Sequence, residues 1–110
     1  MDPCELDMSG VSTDESTNNF NESVMLSKCL NSRPENNELL RMYGMFKYVN
    51  VGNATGDPPS ILWNTTSNYK WHEWKKHDNK SVISVQREYT VYVNMLIEKY
   101  GMTIPETTDV

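Results

Sequence analysis

The stretch SVISVQREYTVYVNMLIEKYG, residues 81–101, decides the fold class. Val82, Val85, Tyr89, Val93, Leu96 and Tyr100 recur at spacings of three and four, which places them on one apolar face of a helix. Ser81 offers an N-cap oxygen, and Gly101 is the residue type that commonly follows a last helical turn. The spacing therefore predicts a helix from just after Ser81 to about Tyr100.

Working outward, the same period recurs and no convincing strand appears. Ser32-Arg33-Pro34-Glu35 is a Ser-x-x-Glu start signal with a proline in the first turn. It predicts a second helix to about Asn50, with Leu39, Leu40, Tyr43, Phe46 and Lys47 at helical spacing. A short helix around Asn68–Lys76 displays Trp71 and Trp74, and another from Phe20 to Leu30 carries Phe20, Val24 and Leu30. Gly52, Gly56, Pro58 and Pro59 forbid helix between Val51 and Thr66, and a connection of that length is often functional. The expectation is an all-α, four-helix domain.

Composition limits what this domain can be. A chain of 110 residues holds one small core. No apolar run approaches the ~20 residues that cross a bilayer. The acidic start lacks the basic region and apolar stretch of a signal peptide, so the expectation is a soluble cytoplasmic protein. Cys4 and Cys29 are too few for a disulfide scaffold and are read as thiols. Sequons at Asn21, Asn53, Asn64 and Asn79 then stand idle, as expected of chance matches in an Asn/Ser/Thr-rich chain.

The net charge of −5 lies entirely in the first 19 residues, which hold Asp2, Glu5, Asp7, Asp14 and Glu15 and no base. That extension has almost nothing to bury and is expected to be disordered. Between residues 40 and 89, seven bases face four acids, which suits a polyanionic ligand. No dense basic stripe marks a nucleic-acid binder.

Candidate chemistry is sparse. HEWKKH, residues 72–77, looks like a zinc-protease motif, but five residues turn a helix by about 500°, leaving His72 and His77 roughly 140° apart. They are expected to be two solvated histidines. No nucleophile elbow is present, and GNATGD (52–57) lacks the Lys-Ser/Thr ending of a phosphate loop. Tyr43, Phe46 and Lys47 are neighbours on a helix at i, i+3 and i+4. They form either a core face with a lysine lying over it, or a platform that stacks a planar base and meets a phosphate. Spacing does not choose between these.

A longer pattern does. NSRPENNELLRMYGMFKYVNVGNATGDPPSIL, KWHEWKK and REYTVYVNMLIEKYGM, in that order and separation, resemble the acyl-CoA-binding protein family over about residues 20–102. Its most recognisable pieces read here as YGMFKYVNVG, KWHEW and YTVYVNMLIEKYG. The resemblance implies a four-helix bundle of the acyl-CoA-binding type, a carrier and not an enzyme. Carried over position by position, Tyr43 and Lys47 fall on residues for the adenine nucleotide and its 3′-phosphate. Lys70 falls on a second phosphate-contacting lysine, and Tyr89 on a tyrosine closing on the head group. Phe46 replaces an aromatic beside the nucleotide, Lys28 matches a first-helix lysine near the ligand, and Leu39 and Leu40 match apolar residues near the acyl chain. The sequence departs from the family at Tyr48, Val49-Asn50 and Asn53, and the aromatic of the loop before KWHEW has moved to Trp63.

The implied ligand is physically coherent with these residues. Rings stack the purine, lysines meet phosphates, and each buried methylene of the tail contributes up to about 0.8 kcal/mol. Both halves are needed, so free CoA and free fatty acid should bind poorly. The expectation is a monomeric, cytoplasmic carrier of medium- to long-chain acyl-CoA, with no cofactor and no metal, meeting acyl-CoA-using enzymes or membranes transiently. The division expected is 1–19 extension, 20–102 binding domain and 103–110 tail. The alternative is a helical module that has lost the ligand and recruits a protein partner.

Overall fold

The computed structural model describes residues 8–104, with side chains from residue 15 onward. Four helices form: α1 Met8–Ser27, α2 Asn36–Val51, α3 Thr65–Lys75 and α4 Val82–Tyr100. Among the described residues there is no strand, only one isolated bridge between Leu30 and Met102. α1 packs on α4, and α2 packs on both α3 and α4. None of the helices is long and apolar enough to cross a membrane.

α4 forms as its pattern predicts. Ser81 Oγ accepts from the Ser84 N–H at its start, and the Gly101 N–H closes its end on the Ile97 carbonyl. Val85, Tyr89, Val93 and Leu96 are buried, whereas Val82, in the first turn, is exposed. Around them lie Phe20 of α1, Met42, Met45 and Tyr48 of α2, and Trp74 of α3.

Two expectations are corrected. α1 begins at Met8 and not at Phe20. Its added turns find polar partners on α4 in place of apolar ones: Ser16 is buried, and Gln86 Nε2 donates to Thr17 Oγ1 at 3.2 Å. The acidic residues Asp2, Glu5 and Asp7 lie outside the described residues, as does Cys4; Cys29 is a free thiol. In α2, the buried face is Met42, Met45 and Tyr48, one position around from Tyr43, Phe46 and Lys47. Because Met, Phe, Tyr and Leu occur on most sides of this helix, period alone could not fix its rotation.

The start of α2 lies where the sequence placed it, one register along in mechanism. Glu35 caps it, and Glu38 Oε1 accepts from the Glu35 N–H at 2.9 Å. Glu38 also receives Lys99 Nζ at 2.7 Å and the Tyr100 hydroxyl, so one buried carboxylate ties the first turn of α2 to the last turn of α4. These three donors hold its pKa down to about 2.

α2 and α3 meet backbone to backbone at Gly44, where an added Cβ would lie 2.6 Å from the Glu73 carbonyl oxygen. Only glycine permits that approach.

Candidate functional site

The rotation of α2 turns Tyr43, Phe46 and Lys47 away from the core centre. Tyr43 and Lys47 are half-buried, and Phe46 is 40% exposed. α3, brought alongside by the Gly44 contact, supplies the other wall. Lys70 Nζ sits 5.1 Å from the centre of the Tyr43 ring, and Lys47 Nζ sits 5.1 Å from the centre of the Trp74 ring. Two ammonium groups thus rest on two aromatic faces across the α2–α3 seam. On exposed rings such contacts are worth only about 0.5–1 kcal/mol, less than a charge-assisted hydrogen bond, so an arriving phosphate can draw both lysines to itself.

The far side of the platform is aromatic. Phe20 of α1 stacks on Phe46 at 6.2 Å and meets Tyr89 of α4 edge-on at 4.9 Å. Tyr89 is buried, and burial raises its pKa above the ordinary tyrosine value, opposed in part by the Ser27 side chain. The structure therefore brings Tyr43, Lys47 and Lys70 together across the α2–α3 seam with Phe46 beside them on α2, whereas Tyr89 is buried behind Phe20 and takes no part in that surface. Lys28 is exposed on the turn just beyond α1, not within it. Leu39 packs against the core, and Leu40 is half-buried.

The loop from Gly52 to Asn64 is fastened to α3. Trp74 Nε1 donates to the Gly52 carbonyl at 2.6 Å and Trp71 Nε1 to the Thr55 carbonyl at 3.0 Å. Asn68 Nδ2 donates to the Pro59 carbonyl at 2.8 Å, and Asp78 Oδ1 accepts from the Ala54 N–H at 2.9 Å. The ring that carries Lys47 is thereby fixed from both ends. Tyr48, one of the positions at which the sequence departs from the resemblance, is buried, and its hydroxyl donates to the Lys80 carbonyl.

The expected pair of solvated histidines needs correction: His72 is exposed, but His77 is buried beside the Tyr48 ring. That burial and nearby Lys80 lower its pKa. Among the described residues no cluster of three or more His, Cys, Asp or Glu side chains could hold a metal ion. Sequence reading gave Phe20 as packing and Trp74 as core or groove wall, and neither as a site residue. The signal for Phe20 as a wall of the site was absent, because it depends on which residue of α2 it meets. A separate groove of about 530 Å³, lined by Arg41, Met45, Arg87, Val91, Tyr92 and Met95 among others, contains none of the platform residues.

Residues 17–93 match the family model described as acyl-CoA-binding protein. The chain belongs to the acyl-CoA-binding protein family. It is 36% identical over 82 residues to Acyl-CoA-binding protein 2 of Saccharomyces pastorianus, covering 74% of this chain and 93% of that one. The Drosophila melanogaster acyl-CoA-binding protein homolog is 34% identical over 82 residues, covering 74% and 94%. Among solved structures, Oryza sativa Acyl-CoA-Binding Protein 2 superposes with a TM-score of 0.73 at 30% identity, over 79% of this chain and 94% of that one. As a family member the chain has the all-α bundle of its relatives. The α1 residues before position 17 lie outside the matched segment.

Proposed function

We propose that this chain binds medium- to long-chain acyl-CoA thioesters and carries them, without a cofactor, between membranes and the enzymes that use them. The observation that carries the reading is the seam itself: Lys47 and Lys70 from two different helices, each poised on a ring face beside a half-exposed aromatic. In this reading the nucleotide lies against Tyr43 and Phe46, and the two ammonium groups turn from ring faces to phosphate oxygens. Leu39 and Leu40 stand beside the acyl chain. Tyr89 supports the platform through Phe20 and reaches the head group only if Phe20 moves aside. The chain acts as a cytoplasmic monomer, and Lys28 contributes charge at the edge of the site.

Nothing in this arrangement supplies a nucleophile aimed at the thioester, so the proposed role is sequestration. The test is a calorimetric titration with palmitoyl-CoA beside CoA and palmitate. Tight 1:1 binding of the thioester with both fragments weak is expected. Equal affinity for palmitate and palmitoyl-CoA, or no binding of the thioester, overturns the reading. Release of free thiol during incubation would replace it with an enzyme.

A further inference from the structure

Ile61, Leu62 and Trp63 stand 53%, 81% and 85% exposed, and they are consecutive. Single exposed apolar residues are ordinary, but three in a row ending in tryptophan are not. Nor is this a loose loop. The Leu62 and Trp63 N–H groups both donate to Ser60 Oγ, at 3.2 and 3.3 Å. The Asn64 N–H donates to the Ser60 carbonyl at 2.8 Å, and Thr65 Oγ1 to the Ile61 carbonyl at 2.6 Å. The buried Asn68 side chain then anchors Pro59 to α3. Three consecutive N–H groups of the turn are thus bonded to Ser60, which fixes its shape, while its apolar side chains stay exposed.

We infer that the Ile61–Leu62–Trp63 knuckle is a lipid-docking element that enters the headgroup region of a bilayer. Three features favour a lipid surface as the occupant. Three consecutive side chains on a tight turn make a convex tip, which a fluid interface accommodates without a preformed complementary pocket. Tryptophan with aliphatic neighbours is the composition that settles at the membrane–water boundary, the ring among the chains and its N–H toward polar groups. Charge agrees as well: no Asp or Glu occurs between Asp57 and Glu73, and Lys70 does, which suits a surface of lipid phosphates.

The knuckle runs directly into α3, which carries Lys70 of the platform. Docking through it would hold the acyl-CoA site at the surface where amphiphiles are exchanged. That consequence rests on the proposed carrier function; the docking itself does not.

The test uses the whole chain with vesicles of phosphatidylcholine, with and without phosphatidylserine, and no acyl-CoA. Flotation with vesicles and a blue shift of tryptophan emission are expected. Trp63→Phe should abolish most of the emission shift, and Leu62→Asn should lower vesicle partitioning about tenfold. Both positions are exposed, so each variant should keep the parent's thermal melt. Absence of flotation with either vesicle overturns the proposal, as does full binding by a Leu62→Asn/Trp63→Ser double variant. Self-association in sedimentation that the same double variant removes would assign the tip to a second copy instead. Because acyl-CoA is absent, failure here leaves the palmitoyl-CoA titration untouched, and failure of that titration leaves vesicle docking standing.

Discussion

Lys70 of α3 rests its ammonium 5.1 Å from the centre of the Tyr43 ring of α2. Neither residue reports the other in sequence, and their meeting depends on the close approach of the two helices at Gly44. The contact brings two separate motif positions together in one wall of the candidate site.

Removing either lysine should therefore affect binding far more than folding. Lys47→Ala and Lys70→Ala are each expected to weaken palmitoyl-CoA binding by about 1.5–3 kcal/mol, the scale of a hydrogen bond to a charged partner. Stability in urea should change by no more than about 1 kcal/mol. Calorimetry on both variants decides this, and wild-type affinity in both would remove the lysines from the site.

Gly44→Ala should destabilise although it adds only a methyl group. The new Cβ would lie 2.6 and 2.8 Å from the Glu73 carbonyl oxygen and carbon, which belong to backbone and cannot rotate away. A loss of about 1–3 kcal/mol is expected from urea unfolding, as for other overpacked contacts. An unchanged midpoint would mean that α2 and α3 have room to separate.

The two tryptophans of α3 should differ. Trp74 is 8% exposed, donates to the Gly52 carbonyl and lies under Lys47, so Trp74→Ala should cost about 3–5 kcal/mol. Trp71 is half-buried, packs at the edge of the core and bonds the loop at Thr55, so Trp71→Ala should cost less, roughly 1–2 kcal/mol. Thermal melts of the two variants that shift equally would contradict this division.

Glu38 makes stability depend on acid. Its folded pKa is lowered from 4.5 to about 2, chiefly by its bond with Lys99, then by Tyr100 and the Glu35 N–H. A depressed carboxylate stabilises the fold fully above its unfolded pKa, and that contribution disappears as pH falls from about 5 toward 2. The denaturation midpoint should drop through this window in the parent chain. Glu38→Gln should start lower at neutral pH and fall less steeply. Parallel curves for the two proteins would show that another carboxylate carries the acid sensitivity.

Much of this protein is legible in its residues alone. The stripe from Val85 to Leu96 fixes α4 and its buried face, because one clear apolar face leaves a helix only one way to dry itself. Ser81, Gly101 and the Gly/Pro cluster after Val51 place the breaks, since caps and turns are local physics. The three motifs in register gave the family that the comparisons then showed.

Other features had no local signature. The rotation of α2 was ambiguous because apolar side chains surround it, and only contact with α3 and α4 selects Met42, Met45 and Tyr48 for burial. The first turns of α1 read as tail because polar residues promise no core, yet Ser16 and Thr17 find their places against α4. His77 looked like a surface residue until Tyr48 was seen to pack beside it, and Ile61–Trp63 read only as part of a non-helical connection, not as a braced apolar tip. Sequence by itself determined that four helices form and where α2 and α4 begin and end, which follow from neighbours within a few residues, and the family, which follows from three motifs in register. Tertiary structure decided which aromatic faces meet which cations, because that depends on how closely two helices approach, and here a single glycine sets the distance.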